Sequence, residues 1–196
     1  MITTRLLRIA LLAFFSGCMT AASAQLPGTH PPISPITVGS ISVNGGIGPG
    51  EPYLGGDYNR PFGIKASVNW GVAEAGPGVI TVGASVGGSF ANGIYISRAV
   101  PQTTTSMSSN SIVFSARAAW HYGWQVPGLD LYGGLSLGEG FHRYHIGQPV
   151  NWNSNTTHLW PGIFAGASYF FTPRFGINAE AGADITNFQF GVVAKI

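Results

Sequence analysis

The chain is poor in three things, and each shortage removes a class of protein. Cysteine occurs once in 196 residues, at Cys18, so neither a disulfide framework nor a thiolate metal site can hold the fold together. Charged side chains make up 8% of the chain, where ordinary soluble domains carry about 25%. Long apolar runs are missing too. Beyond the N-terminal leader, no stretch reaches the roughly 18 consecutive apolar residues that a membrane-spanning helix needs. The excess of basic residues is local: Arg5 and Arg8 sit in the leader, and the remainder balances seven basic against seven acidic side chains. That leaves no electrostatic footprint for nucleic acid.

The leader reads as a secretory signal peptide over residues 1–24. Arg5 and Arg8 form its positive end, "IALLAFF" (9–15) its apolar centre, and "ASA" (22–24) a small-residue cleavage site before Gln25. The apolar centre is too short for a membrane anchor. "FSGC" (15–18) also looks like a lipoprotein signal with Cys18 as the lipidated residue, and both readings stay open. Residues 25–35, containing "LPGTHPPISP", form a Pro-rich N-terminal leader that is expected to be extended, and the remaining residues, 36–196, are read as one domain.

Glycine is abundant, 29 residues of 196, and apolar residues recur at every second position. In "FGINAEAGADI" (175–185) the set Phe175, Ile177, Ala179, Ala181, Ala183 and Ile185 alternates with Gly176, Asn178, Glu180, Gly182 and Asp184. Strict period-two alternation is a strand with one apolar and one polar face. Such segments, bounded by breakers, are read at 36–47, 62–73, 79–91, 111–124, 129–141, 158–171, 175–185 and 187–196. In the first, the phase slips around Gly39 and Ser40, which predicts a bulge or a later start. The connections at 74–78, 125–128 and 172–174 are short, whereas 48–61, 92–110 and 142–157 are long and polar. That rhythm predicts an all-β fold, an eight-stranded antiparallel up-and-down transmembrane β-barrel. The last connection, near Thr186, is a tight hairpin on the long-loop side.

The polar faces decide which side meets water. A soluble barrel needs Lys and Glu on its outer face, but these faces hold Gly, Ser, Thr and Asn with isolated charges. Small side chains suit a lumen that eight strands leave only just wide enough to fill. Apolar faces therefore point to lipid. Aromatics gather near the strand ends: Phe62, Phe90, Phe114 and Phe188 on the loop side, and Trp70, Trp124, Tyr169, Phe171 and Phe175 on the turn side. In 158–171 the same alternation turns Trp160, Phe164 and Phe170 inward, where they can plug the lumen. The inward charges Lys65, Arg117, Glu180 and Asp184 are expected to form a network closing the lumen, because intramembrane charges usually pair. Arg117 with Glu180 and Lys65 with Asp184 form its expected layers, and a gated ion path is the alternative.

The stretch from Phe62 to Ile196, above all "YFFTPRFGINAEAGADITNFQFGVVAKI", resembles small bacterial outer-membrane β-barrel domains of the OmpA/OmpX type. The resemblance implies a location in the bacterial outer membrane, contact with outer-membrane lipid, and the barrel-assembly machinery as a partner during biogenesis. Members usually end in an aromatic residue, where this chain has Ile196.

No motif points to an enzyme, a cofactor or a bound metal. "GASVG" (83–87) and "GLSLG" (134–138) match G-x-S-x-G, but that motif needs a strand-to-helix elbow and both lie mid-strand. His142 and His145 would face opposite ways, and no Asp or Cys completes a ligand set. His121 is placed in the lumen near the turn side. Some small outer-membrane barrels modify lipid A, which keeps that chemistry as a minor alternative. The expected role is structural or surface-interacting, with a side-chain-filled lumen and no open pore. Tyr53, Tyr58, Tyr95, Tyr144 and Trp152 in the outer loops are the candidate contacts for an extracellular ligand.

Overall fold

Alternation of this kind buries one face of every strand only if the sheet closes on itself. In the computed structural model it does. Residues 34–50, 57–96, 104–124, 126–183 and 185–196 are described, without the side chains of residues 57–60. The signal peptide, the leader to residue 33, Tyr53 and Asp184 lie outside the described residues. The strands are β1 (Ile41–Pro49), β2 (Asp57–Ala75), β3 (Gly78–Ile96), β4 (Thr104–Gly123), β5 (Leu129–Ile146), β6 (Trp152–Phe170), β7 (Phe175–Ala183) and β8 (Phe188–Lys195). Each pairs antiparallel with the next, and β1 with β8, to close the barrel. Closure leaves no sheet edge where the ring of strands is complete, which lipid demands. No helix among the described residues is long and apolar enough to cross a membrane.

The faces run as the alternation requires. Along β2, Phe62, Ile64, Val68 and Trp70 are exposed while Lys65, Ser67 and Asn69 are buried. Phe62 sits directly opposite Phe90, and the Phe114 and Phe141 rings meet edge-on at 6.3 Å, marking the loop end of the apolar band. At the turn end, Tyr122 lies between Trp120, stacked at 5.5 Å, and Trp124 at 6.0 Å. An apolar band rimmed by aromatics is a surface that a bilayer solvates.

The first strand takes the later start that the phase slip at Gly39 and Ser40 allowed: it begins at Ile41, because residues 37–40 form a turn in which Gly39 takes φ +85° and its N–H donates to Gly71 O at 2.8 Å. Two expectations change. The long polar segments 92–110 and 142–157 are not loops in the main. β3 and β4 pair as far as Ile96 and Thr104, and β5 and β6 as far as Ile146 and Trp152. Ser-, Thr- and Asn-rich sequence reads as loop by composition, yet a neighbouring strand supplies hydrogen bonds whatever the side chains are. Finally, β7 ends at Ala183, so Ile185 does not continue its lipid face. It is 2% exposed and turns inward to lie over Gly87, where a Cβ would come within 2.7 Å of its Cδ1.

The two ends of the barrel differ as a result. At the turn end the ring of strands is complete. At the loop end, β7, β8 and β1 stop early while β2 through β6 continue as a raised sheet. Among the described residues no strand pairs with β6 on its β7 side above Ile163.

Candidate functional site

Glu180 is the hub of the lumen. Period two points it inward from β7, and the register brings both inward cations of β2 and β4 to it. Lys65 Nζ donates to Oε1 at 2.8 Å and Arg117 Nη2 to Oε2 at 2.8 Å. Tyr132 adds its hydroxyl to Oε2 at 3.0 Å, and Gln189 its amide to Oε1 at 3.4 Å. All five residues are buried. Phe164, turned inward from β6 and 2% exposed, lies against both cations: its ring centroid is 3.9 Å from Arg117 Cζ and 5.5 Å from Lys65 Nζ. A cation over an aromatic face gains electrostatic attraction without water. At this level the lumen holds one carboxylate, two cations and two aromatic rings.

This changes the expected layering. Lys65 reaches Glu180 in the same layer as Arg117. Its expected partner Asp184 lies outside the described residues.

On the turn side of this layer, Asn178 Nδ2 donates to Tyr132 Oη at 2.6 Å and to Ser168 Oγ at 3.2 Å. His121 lies in the lumen near the turns, stacked on Tyr132 at 4.9 Å, with Nδ1 2.8 Å from Asp130 Oδ2. On the loop side, His142, His158 and Trp160 form a ring cluster with centroids 4.5 to 5.3 Å apart. His142 Nδ1 lies 2.7 Å from Ser111 Oγ. His142 is buried, while His145 points to the outer face and meets Asn153 Oδ1 at 2.7 Å. Ser85 and Ser136 sit inside β3 and β5 rather than at an elbow, and Ser85 Oγ lies 2.7 Å from Ser115 Oγ.

The candidate loop contacts separate. Tyr53 lies outside the described residues. Tyr58 lies in β2 opposite Gly93. Tyr144 is not in a loop and is not presented to solvent: it is buried in β5 with Met107 and Ile146, and Tyr95 of β3 packs partly buried against that cluster. Trp152, at the start of β6, is 45% exposed while meeting the Tyr144 ring at 5.2 Å. Composition gave no hint of Asp130, Tyr132, Asn178 and Gln189 as members of the lumen network. Their inward parity was available, since Asp130, Tyr132 and Ser136 share one face of β5, but which residues they meet follows from the register.

A crystal structure of outer membrane protein OprG from Pseudomonas aeruginosa superposes with a TM-score of 0.56 at 9% identity, covering 82% of this chain and 97% of that one. The fold is that of a small eight-stranded outer-membrane β-barrel. The attachment invasion locus protein Ail of Yersinia pestis also aligns, with a TM-score of 0.48 at 16% identity over 82% of this chain and 100% of that one. No protein-family model and no curated protein matches the sequence.

Proposed function

We propose that this is a closed barrel of the bacterial outer membrane, delivered by a cleaved N-terminal signal, whose work is surface interaction through its raised loop end. The observation that supports closure most directly is Glu180, held from two sides by Lys65 and Arg117 with Phe164 against both. Water and ions have to displace charge-assisted hydrogen bonds to pass there. In this reading the loop end faces outward. There β2 through β6 rise past the aromatic rim and carry exposed Ile94, Ile96 and Trp152 toward an extracellular ligand. Outer-membrane lipid covers the apolar band, and the barrel-assembly machinery inserts the chain. No catalytic step is assigned to it.

Single-channel recording in a planar bilayer tests closure: the intact protein should show no stepwise conductance, and open-channel steps would overturn the reading. A gated pore is the second reading, favoured by the ionic nature of the layer. It requires that Arg117→Ala produce a large new conductance. A screen of the purified barrel against immobilised extracellular matrix proteins and polysaccharides tests the surface role. Loss of any captured partner on Trp152→Ala would locate the contact on the raised sheet.

A further inference from the structure

Between its two aromatic rims the outer face of the barrel is apolar, with an exception on β5. Glu139 is exposed there, between Leu137 and Phe141 of the same face. Across the strand pairs it stands opposite Phe114 on β4 and Leu159 on β6. All four neighbours are exposed on the outer surface, so the carboxylate sits in an apolar frame beside the edge-on Phe114–Phe141 pair. Among the described residues no other charged side chain lies on this face between the rims. An ionisable group turned to lipid is expensive, and it marks a site by default.

The surface around it is concave. Leu137 and Glu139 of β5, with Thr157 and Leu159 of β6, line a shallow groove of about 430 Å³. Thr157 stands opposite Phe141 and adds a hydroxyl to the groove. Farther toward the loop end, Arg143 is exposed on the same face, with Asn110 and Asn155 directly opposite it on the two neighbouring strands. Glu139 and Arg143 are about 13 Å apart along the strand, and no ion pair joins them among the described residues. The face thus carries apolar walls, an anion at the rim, and a cation between two amides one pleat beyond Phe141.

We propose that this face of β5 and β6 binds a lipid whose headgroup carries a primary ammonium beside a phosphate. The assignment rests on the reading that lipid covers the apolar band. Each part makes its own chemical demand. An ionised Glu139 only accepts hydrogen bonds, so its ligand has to be a donor, and a primary ammonium donates with charge. Phe114 and Phe141 flank the carboxylate, and aromatic faces attract a cation. Arg143 presents a planar fork of donors that matches a phosphate, and the amides of Asn110 and Asn155 can donate beside it. A headgroup with both signs answers two side chains that do not meet each other. Leu137 and Leu159 give its acyl chain an apolar wall. A choline headgroup has the same charge but no N–H, so it offers Glu139 no hydrogen bond.

The test is native mass spectrometry of the intact protein, released from detergent micelles that hold equal amounts of phosphatidylethanolamine and phosphatidylcholine. The ethanolamine lipid should be retained about threefold over the choline lipid, the scale of one solvent-screened charge pair. Glu139→Gln keeps the shape, removes the charge, and should abolish that preference. Arg143→Gln should lower the retention of both lipids, because both carry the phosphate. Glu74→Gln, at an exposed acid of the turn end, should change neither. Heat-dependent gel mobility reports that each variant has folded. Equal retention of the two lipids by the unsubstituted protein, or an undiminished preference in Glu139→Gln, would overturn the site. Soluble phosphoethanolamine at the same concentration should not compete, and competition by it would overturn a lipid as the ligand. Retention of neither lipid would count against the lipid-covered band itself, and the site would fall with it.

Discussion

The two ends of the barrel use the same alternating strands to opposite ends. Toward the turns the ring is complete, the connections are tight, and the mouth is stoppered by Ile36 against Phe170 and Val193. Toward the loops, among the described residues, only β2 through β6 continue, so the wall rises on one side and drops to the short β7–β8 hairpin on the other. The difference follows from the solvent. Within the bilayer an unpaired backbone group has nothing to bond, so pairing runs right round. Above it, water satisfies an open edge such as β6, and the sheet is free to project. Its edge lacks the charged guards common on exposed strands and carries a proline, Pro161, near its base. The turn end encloses, and the loop end presents.

That contrast is open to direct attack. The largest effect is expected at the layer between the two halves. Glu180→Ala leaves Lys65 and Arg117 facing one another without their carboxylate, and should cost on the order of 3 to 5 kcal/mol in urea-induced unfolding from vesicles. A double-mutant cycle on Arg117→Met and Glu180→Gln should give a coupling energy well above error. Additive losses would mean that the two ends are not separated by an ion-paired layer at all.

The lipid face comes next. Ala181 is outward on β7, so Ala181→Arg should cost about 2 to 4 kcal/mol, the penalty for Arg near the bilayer midplane. Its neighbour Gly182 faces the lumen, yet Gly182→Ser is no mild control. A Cβ there would stand 2.3 Å from Ile163 O and 2.9 Å from Phe164 Cα, so it too should destabilise. Ser42→Ala, on the same inner surface, is the better comparison. Equal losses for Ala181→Arg and Ser42→Ala would mean that the faces are reversed.

Within the enclosed half, Asp130→Ala strips His121 of its partner and should cost about 1 to 3 kcal/mol, the usual penalty for a buried group left unsatisfied. The smallest effect belongs to the presenting half. Trp152→Ala, at an exposed position on the raised sheet, should change refolding stability by no more than about 0.5 kcal/mol. A loss comparable to that of Asp130→Ala would show that the raised sheet is part of the core rather than an appendage.

Much of this was legible in the residues. The alternation in β2, β3 and β7 identified the lipid and lumen faces, and the inward turn of Trp160, Phe164 and Phe170 followed from parity alone. The strand ends were harder to see. "NGIYISRAV" and "NWNSNTT" have the composition of loops, and only the presence of a paired neighbour makes most of each a strand. The apolar period in β7 ran on to Ile185 in the text, although the strand itself stops at Ala183.

What the sequence by itself determined is therefore the sidedness: a period of two is a local property of extended backbone, and any strand that forms must obey it. Only the tertiary structure decided the meetings. Lys65 finds Glu180 across 115 residues of chain and Arg117 finds it across 63, His121 finds Asp130 around a turn, and Ile36 finds the mouth of the barrel. Those encounters depend on the register carried round a closed ring of strands. A two-residue slip at any pair would keep every face and still move every later level, whereas a one-residue slip would turn the strand's lumen side chains out to lipid.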